Sequence, residues 1–237
     1  MAIMKLDRFL VSASRYSRRE IYTLVTGGEV TINGRVVTDM TVPVRVGRDV
    51  VTVSSEAVVF EGRLFYYKLY KPLGVLSTLQ DPKGRLNLSS YMDKLPQGTF
   101  PIGRLDRKSS GLLLVTNDGA FANTLMHPSF KLPKTYRVGL DKVFRLPDAQ
   151  KLIAGFFLED GPVRFDAVTM VDKKTLDVVI SEGRNHIVRR SFAALGYDIQ
   201  KLHRTAIGRI QLGNLTPGQS CALSEIEIAS VPIAEVY

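Results

Sequence analysis

Residues 103–119 read Gly103-Arg104-Leu105-Asp106-Arg107-Lys108-Ser109-Ser110-Gly111-Leu112-Leu113-Leu114-Val115-Thr116-Asn117-Asp118-Gly119. Arg104, Asp106, Arg107 and Lys108 place four charges in five positions, directly before an apolar run. Leu112 to Val115 predicts a buried strand, and Asn117-Asp118-Gly119 predicts a turn. Gly103 permits backbone conformations that other residues resist. One carboxylate, Asp106, thus stands at the mouth of a buried strand among three permanent cations. A loop carboxylate that tightens a turn accounts for this much. The sequence on either side changes its meaning.

Toward the N-terminus, Leu6, Phe9 and Leu10 recur at helical spacing and predict a short amphipathic helix from about Lys5 to Val11. Ser17-Arg18-Arg19-Glu20 is a capping-box sequence, so a second helix follows with Ile21, Leu24 and Val25 inward. Gly27-Gly28 ends it. Asn33-Gly34 between Val30-Thr31-Ile32 and Val36-Val37 signals a hairpin, and Val50 to Val53 supplies a further strand. Lys5, Arg8, Arg15, Arg18 and Arg19 stand on the helical side, a charged face suited to phosphates. The weakly periodic segment Ser54–Arg63 marks either a domain boundary, giving domains 1–60 and 61–237, or a longer terminal hairpin of the first domain.

In the second domain, Phe65 to Tyr70 predicts a strand that Lys71-Pro72-Leu73-Gly74 breaks and Val75 to Thr78 resumes. Asp81-Pro82-Lys83-Gly84-Arg85 is a polar loop. Phe121, Leu125 and Met126 predict a helix stopped by His127-Pro128. Lys134 to Val138 begins another strand. Pro147-Asp148 opens a helix continued by Leu152, Ile153, Phe156 and Phe157, with Gly155 as terminator. Val163 to Val171 alternates as a strand, Lys173-Lys174 turns, and Leu176 to Ile180 pairs back. Glu182 to Asn185 is a loop, His186 to Leu195 a helix, and Thr216-Pro217-Gly218-Gln219 a type II turn. Strands and helices mix without a repeating βα unit. The fold class is therefore α+β, with a mainly antiparallel mixed sheet and flanking helices.

Composition narrows the function. The formal charge of +9 favours a polyanionic partner, nucleic acid ahead of a membrane surface. A single cysteine excludes an internal disulfide framework or cysteine metal cluster, and His127, His186 and His203 match no zinc pattern. No apolar run approaches a membrane span, and Lys5, Asp7 and Arg8 interrupt any signal-peptide core, so a cytoplasmic protein is expected.

Ser17 to Val37 resembles the S4 RNA-binding module, in which a helix pair and hairpin grip structured RNA. Four further stretches resemble the pseudouridine synthases of the branch that carries such a module: Lys71-Pro72-Leu73-Gly74, residues 103–119, Lys134-Thr135-Tyr136, and residues 182–196 (EGRNHIVRRSFAALG). Leu202-His203-Arg204 with Ile207-Gly208 and Gly218 fits the same branch. The resemblance implies an enzyme that isomerises uridine to pseudouridine in ribosomal RNA, without cofactor or metal. It implies Asp106 as the essential carboxylate, Arg189 as the arginine that pairs with it, and Tyr136 as the tyrosine that stacks on the target base. Whether Asp106 attacks as a nucleophile or abstracts a proton stays open. RNA contacts are expected from Arg104, which holds the RNA backbone or fills the vacated stack, from Lys71 and Arg184, and from the basic face of the first domain. Lys71 could equally support the catalytic loop.

The family usually has Gln where this chain has Ile187. Residues 81–85, with LMHPS and LEDGP, resemble enzymes acting on the large subunit's 23S RNA more than on 16S RNA. The expected partner is ribosomal RNA or a pre-ribosomal particle, bound by a monomer. A non-catalytic RNA-binding assembly factor would share the module and the charge but would not need Asp106, Tyr136 and Arg189 together. A hydrolase using Asp106 with His127 or His203 is disfavoured, because no second carboxylate lies near Asp106 in the motif and no nucleophile elbow is visible.

Overall fold

The computed structural model describes residues 3–14, 16–60 and 63–232. Contacts divide the chain into two units. One comprises Met1–Tyr66, Met92–Phe100 and Thr116–Asp118; the other comprises Tyr67–Tyr91, Pro101–Val115 and Gly119–Tyr237.

The small unit packs the helices Leu6–Ala13 and Arg18–Thr26 against a four-stranded sheet. Leu6, Phe9, Leu10, Ile21 and Val25 are buried together with Val30, Val51 and Val53. The capping box forms: Glu20 N donates to Ser17 Oγ at 3.2 Å, and Ser17 N donates to Glu20 Oε2 at 2.7 Å. Both turn residues of the hairpin, Asn33 and Gly34, have positive φ, as a type I′ turn demands. Glu56–Val58 adds an edge strand beside Val51–Val53, so part of the weakly periodic segment is hairpin. Its turn runs through Ser54 and Ser55, both left-handed, a geometry that serines do not announce.

The large unit is built on a nine-stranded sheet. Its order is Ala167–Met170, Thr175–Ile180, Lys134–Leu140, Ile199–Ile207, Ser110–Thr116, Tyr66–Lys71 and Ser220–Ala222, with Ile210–Gln211 and Phe100–Ile102 pairing off this path. Ser110–Thr116 is buried throughout. Its pairing with Ile199–Ile207 is parallel, His203 opposite Ser110 and Arg204 opposite Gly111. At Gly111 φ is +108°, and a Cβ would stand 2.2 Å from the Arg204 carbonyl oxygen, so the two backbones meet only because no side chain intervenes.

Three local expectations are corrected. Val75–Thr78 forms no strand; only Leu76 makes a bridge, to Asn87. The helix Leu146–Ala154 stops at Gly155, where φ is +91°, and Phe156–Leu158 turns into a hairpin with Gly161–Val163. Its Phe156 and Leu158 pack on the core while Phe157 faces out, a period of two where helical spacing was read. The alternating run Val163–Val171 is broken at residues 164–166, where Phe165 N donates to Leu152 O and Asp166 N to Val179 O.

Candidate active site

Asp106 lies in the loop between Phe100–Ile102 and Ser110–Thr116, with its side chain one-third exposed. Backbone and side-chain hydrogen bonds hold that loop from several directions. Ser77 Oγ donates to Leu105 O at 2.7 Å and accepts from Leu105 N at 3.0 Å. Gly74 N donates to Arg107 O at 2.9 Å, Arg107 Nε donates to Gly74 O at 3.2 Å, and Ser109 N closes a turn onto Asp106 O. The Lys71–Gly74 stretch is therefore a bracket for the loop carrying the carboxylate.

Lys71 is the centre of that bracket. It is fully buried, and its Nζ donates to Pro72 O at 2.9 Å and Val75 O at 2.7 Å. Burial pulls its pKa down to about 8, opposed by the charge of Asp106 and assisted by that of Arg204. Its expected phosphate contact is corrected: an ammonium without exposed surface holds its own loop instead.

A groove of about 1050 Å³ opens over Asp106. Arg104, Asp106, Tyr136, Arg184, His186 and Arg204 are among its lining residues, and six Lys or Arg line it against three carboxylates. Tyr136 is half-buried, opposite Arg204 on the neighbouring strand and packed at the edge of the main core. Arg104 is exposed. Arg184 is committed to protein acceptors: Glu182 at 2.6 Å, Asp160 at 3.0 Å and Pro162 O at 2.6 Å. That leaves it bracing a loop rather than free for phosphate. Lys5, Arg8, Arg18 and Arg19 are exposed on the small unit, and Arg15 lies outside the described residues.

Arg189 does not pair with Asp106. Its Nη2 donates to Lys108 O at 2.6 Å and its Nη1 to Ile199 O at 2.8 Å, so two carbonyls capture the fork and tie the Asp106 loop to the Ile199–Ile207 strand. The side chain beside the carboxylate is His186, with Nε2 3.4 Å from Asp106 Oδ1. His186 is the N-cap of the helix Ile187–Ala194, in left-handed conformation (φ +51°). In the sequence this residue reads only as a helix start, and a left-handed histidine leaves no local signal. Ile187 is buried.

Arg204 is marked in the sequence only as part of the Leu202-His203-Arg204 stretch. It is buried, and among the described residues the one hydrogen bond of its side chain runs from Nε to Leu112 O at 2.7 Å. Lys134, whose Nζ donates to Leu132 O, has its pKa lowered by burial and then by the charge of Arg204. His203 packs on Tyr70 and shares a 2.9 Å bond with Ser110, and burial lowers its pKa. His203 is not among the groove's lining residues, and His127, which is, bonds Ser129, so no Asp–His pair of hydrolytic type forms with either. Among the described residues no cluster of His, Cys, Asp or Glu could hold a metal ion, and no helix is long and apolar enough to cross a membrane.

The profile of the RNA pseudouridylate synthase family matches residues 66–194, and that of the S4 domain matches residues 4–50. The chain is 39% identical over 233 residues to the ribosomal large subunit pseudouridine synthase B of Bacillus subtilis, covering 94% of this chain and 93% of that one. It is 37% identical to the protein of the same name from Vibrio cholerae, covering 90% of this chain and 69% of that one. A crystal structure of a pseudouridylate synthase superposes with a TM-score of 0.69 at 28% identity, covering 97% of this chain and all of the other.

Proposed function

The chain belongs to the RNA pseudouridylate synthase family and carries an S4 domain, and from that premise we propose that it isomerises uridine within 23S ribosomal RNA with Asp106 as the essential carboxylate. The observation carrying the assignment is a groove of cationic lining in which one firmly bracketed, partly exposed carboxylate shares the space with Tyr136. The bond between C1′ and N1 breaks, C1′ rejoins through C5, a proton leaves C5, and N1 gains one. Substrate and product have the same atoms and oxidation state. The uridine must leave its stack to expose that bond, and the ring of Tyr136 offers a face to the extruded base. Asp106 acts on the sugar or base as an ionised carboxylate, as either nucleophile or base.

The large-subunit assignment draws on the names of the Bacillus and Vibrio relatives. The exposed Lys5, Arg8, Arg18 and Arg19 support an RNA grip on the S4 domain, and exposed Arg104 supports a backbone contact at the groove. We place the domain boundary at residues 60 and 61, between the two family matches. The reading carries with it a monomeric protein acting in the cytoplasm.

The test uses ribosomal RNA from cells in which the gene is deleted, incubated with purified protein and mapped for pseudouridine. Wild type should restore a site in 23S RNA. Asp106→Asn should lower the rate by at least roughly 10³-fold with RNA affinity within about twofold, since no phosphate contact is lost. An unchanged map removes the assignment, and equal losses of binding and activity recast Asp106 as structural.

A further inference from the structure

The guanidinium of Arg204 is nearly devoid of partners. The residue is 4% exposed and uses one of its five donors, Nε to Leu112 O. Among the described residues its Nη2 is buried without a hydrogen bond, and Nη1 makes none either. Buried cations are ordinarily paired, because an unpaired charge or donor in a low-dielectric site costs far more than it does in water. The surroundings deepen the deficit. Lys71 and Lys134 both have their pKa values lowered in part by the charge of Arg204. Yet Arg204 lines the same groove as Asp106 and stands opposite Tyr136 in strand register. Its backbone cannot retreat, since Gly111 packs against it with no room for a Cβ.

This inference rests on the reaction proposed above. When C1′–N1 breaks, the bonding electrons leave with the base, and the uracil becomes an anion whose charge spreads over N1 and the carbonyl oxygens. We propose that Arg204 is a catalytic residue that receives this anion, its unpartnered Nη donors bonding the uracil's charged edge while C1′ is detached. A preorganised donor of this kind acts where charge develops in the transition state and needs no reorganisation to do so. The bond to Leu112 O fixes the fork, and the neighbouring ammonium groups keep the site short of negative charge until the base supplies it. As C5 bonds C1′ the anion's charge is quenched, and the later loss of the C5 proton is balanced by a proton gained at N1, so the contact weakens, which favours release.

The same guanidinium could take a phosphate of the RNA backbone, and the experiment separates the two. Single-turnover pseudouridine formation at saturating ribosomal RNA, and RNA affinity across a salt series, are measured for wild type, Arg204→Ala and Arg204→Lys. Arg204→Ala should slow the single turnover by roughly 10²–10³-fold with affinity and salt slope unchanged, and millimolar methylguanidinium should restore part of the rate. Arg204→Lys retains charge but not the fork; it should fall between the two and serves as the reference if the alanine variant does not fold. A loss confined to affinity with a shallower salt slope reassigns Arg204 to phosphate and overturns the proposal. So does a wild-type rate in either variant. Wild-type protein that forms no pseudouridine anywhere in ribosomal RNA overturns the underlying reaction, a result distinct from an active wild type with unaffected variants.

Discussion

Four cations of the small unit and four of the large are the same residue types put to opposite uses. On the small unit Lys5, Arg8, Arg18 and Arg19 point to water. In the large unit Lys71 and Arg189 turn to backbone carbonyls, Arg184 to carboxylates and Pro162 O, and Arg204 mostly to nothing. A cation in water is available to phosphate and releases counterions when it binds. A cation locked on carbonyls is part of the frame, and its charge sets the potential of the groove without touching the RNA. Net charge alone therefore overstates how much of the chain grips nucleic acid.

The largest effect that would sharpen this contrast is at Lys71. Lys71→Ala leaves a cavity and two orphaned carbonyls, which outweigh the recovered desolvation of the ammonium. A net loss of about 3 kcal/mol is expected, read from urea unfolding. The lysine also has a pH signature. Its folded pKa of about 8 lies below the ordinary 10.5, so between those values the unfolded chain binds more protons. The stability of wild type relative to Lys71→Met should rise with pH across that window and be flat below it. A difference that stays flat across the window would mean that Lys71 reaches solvent, and one that falls would mean that an anion holds its pKa up.

Arg189→Ala should cost about 2 kcal/mol through the lost charged bonds to Lys108 and Ile199. It should slow isomerisation by loosening the Asp106 loop while leaving the salt slope of RNA binding untouched. A changed slope would move Arg189 into the phosphate-binding class. The smallest effect belongs to the small unit. Neutralising Arg18 and Arg19 together to Gln should leave stability within about 0.5 kcal/mol and flatten the salt slope by about 1.5, measured by filter binding. An unaltered slope would erase the distinction between the two sets.

What was legible in the sequence was what neighbouring residues decide. The capping box at Ser17, the Asn33-Gly34 turn and the buried Leu112–Val115 run are set by local sterics and hydrogen bonding, and they form where expected. The groove's membership, Asp106 with Tyr136 and Arg104, followed from the resemblance. The partners of its cations did not, because they are carbonyls tens of residues away: Arg189 reaches Lys108 across 81 positions and Arg204 reaches Leu112 across 92. A carbonyl acceptor carries no side-chain identity, so nothing in the letters marks it. Phe156 and Phe157 mimicked a helix because two apolar pairs four residues apart fit one face of a helix. The left-handed Gly155 overrides that spacing.

The seam at Gly111 sets an order of events during synthesis. Residue 111 leaves the ribosome 93 positions ahead of residue 204, the strand partner it abuts, an interval of roughly 5–20 seconds at ordinary elongation rates. Arg189, which ties down Lys108, arrives within the same interval. A nascent fragment ending before residue 199 thus owns the acidic group but neither the arginine facing Tyr136 nor the neighbouring strand that frames the loop. Such a fragment should be inert toward the transcripts being made around it, and competence should switch on only after the Ile199–Ile207 strand docks.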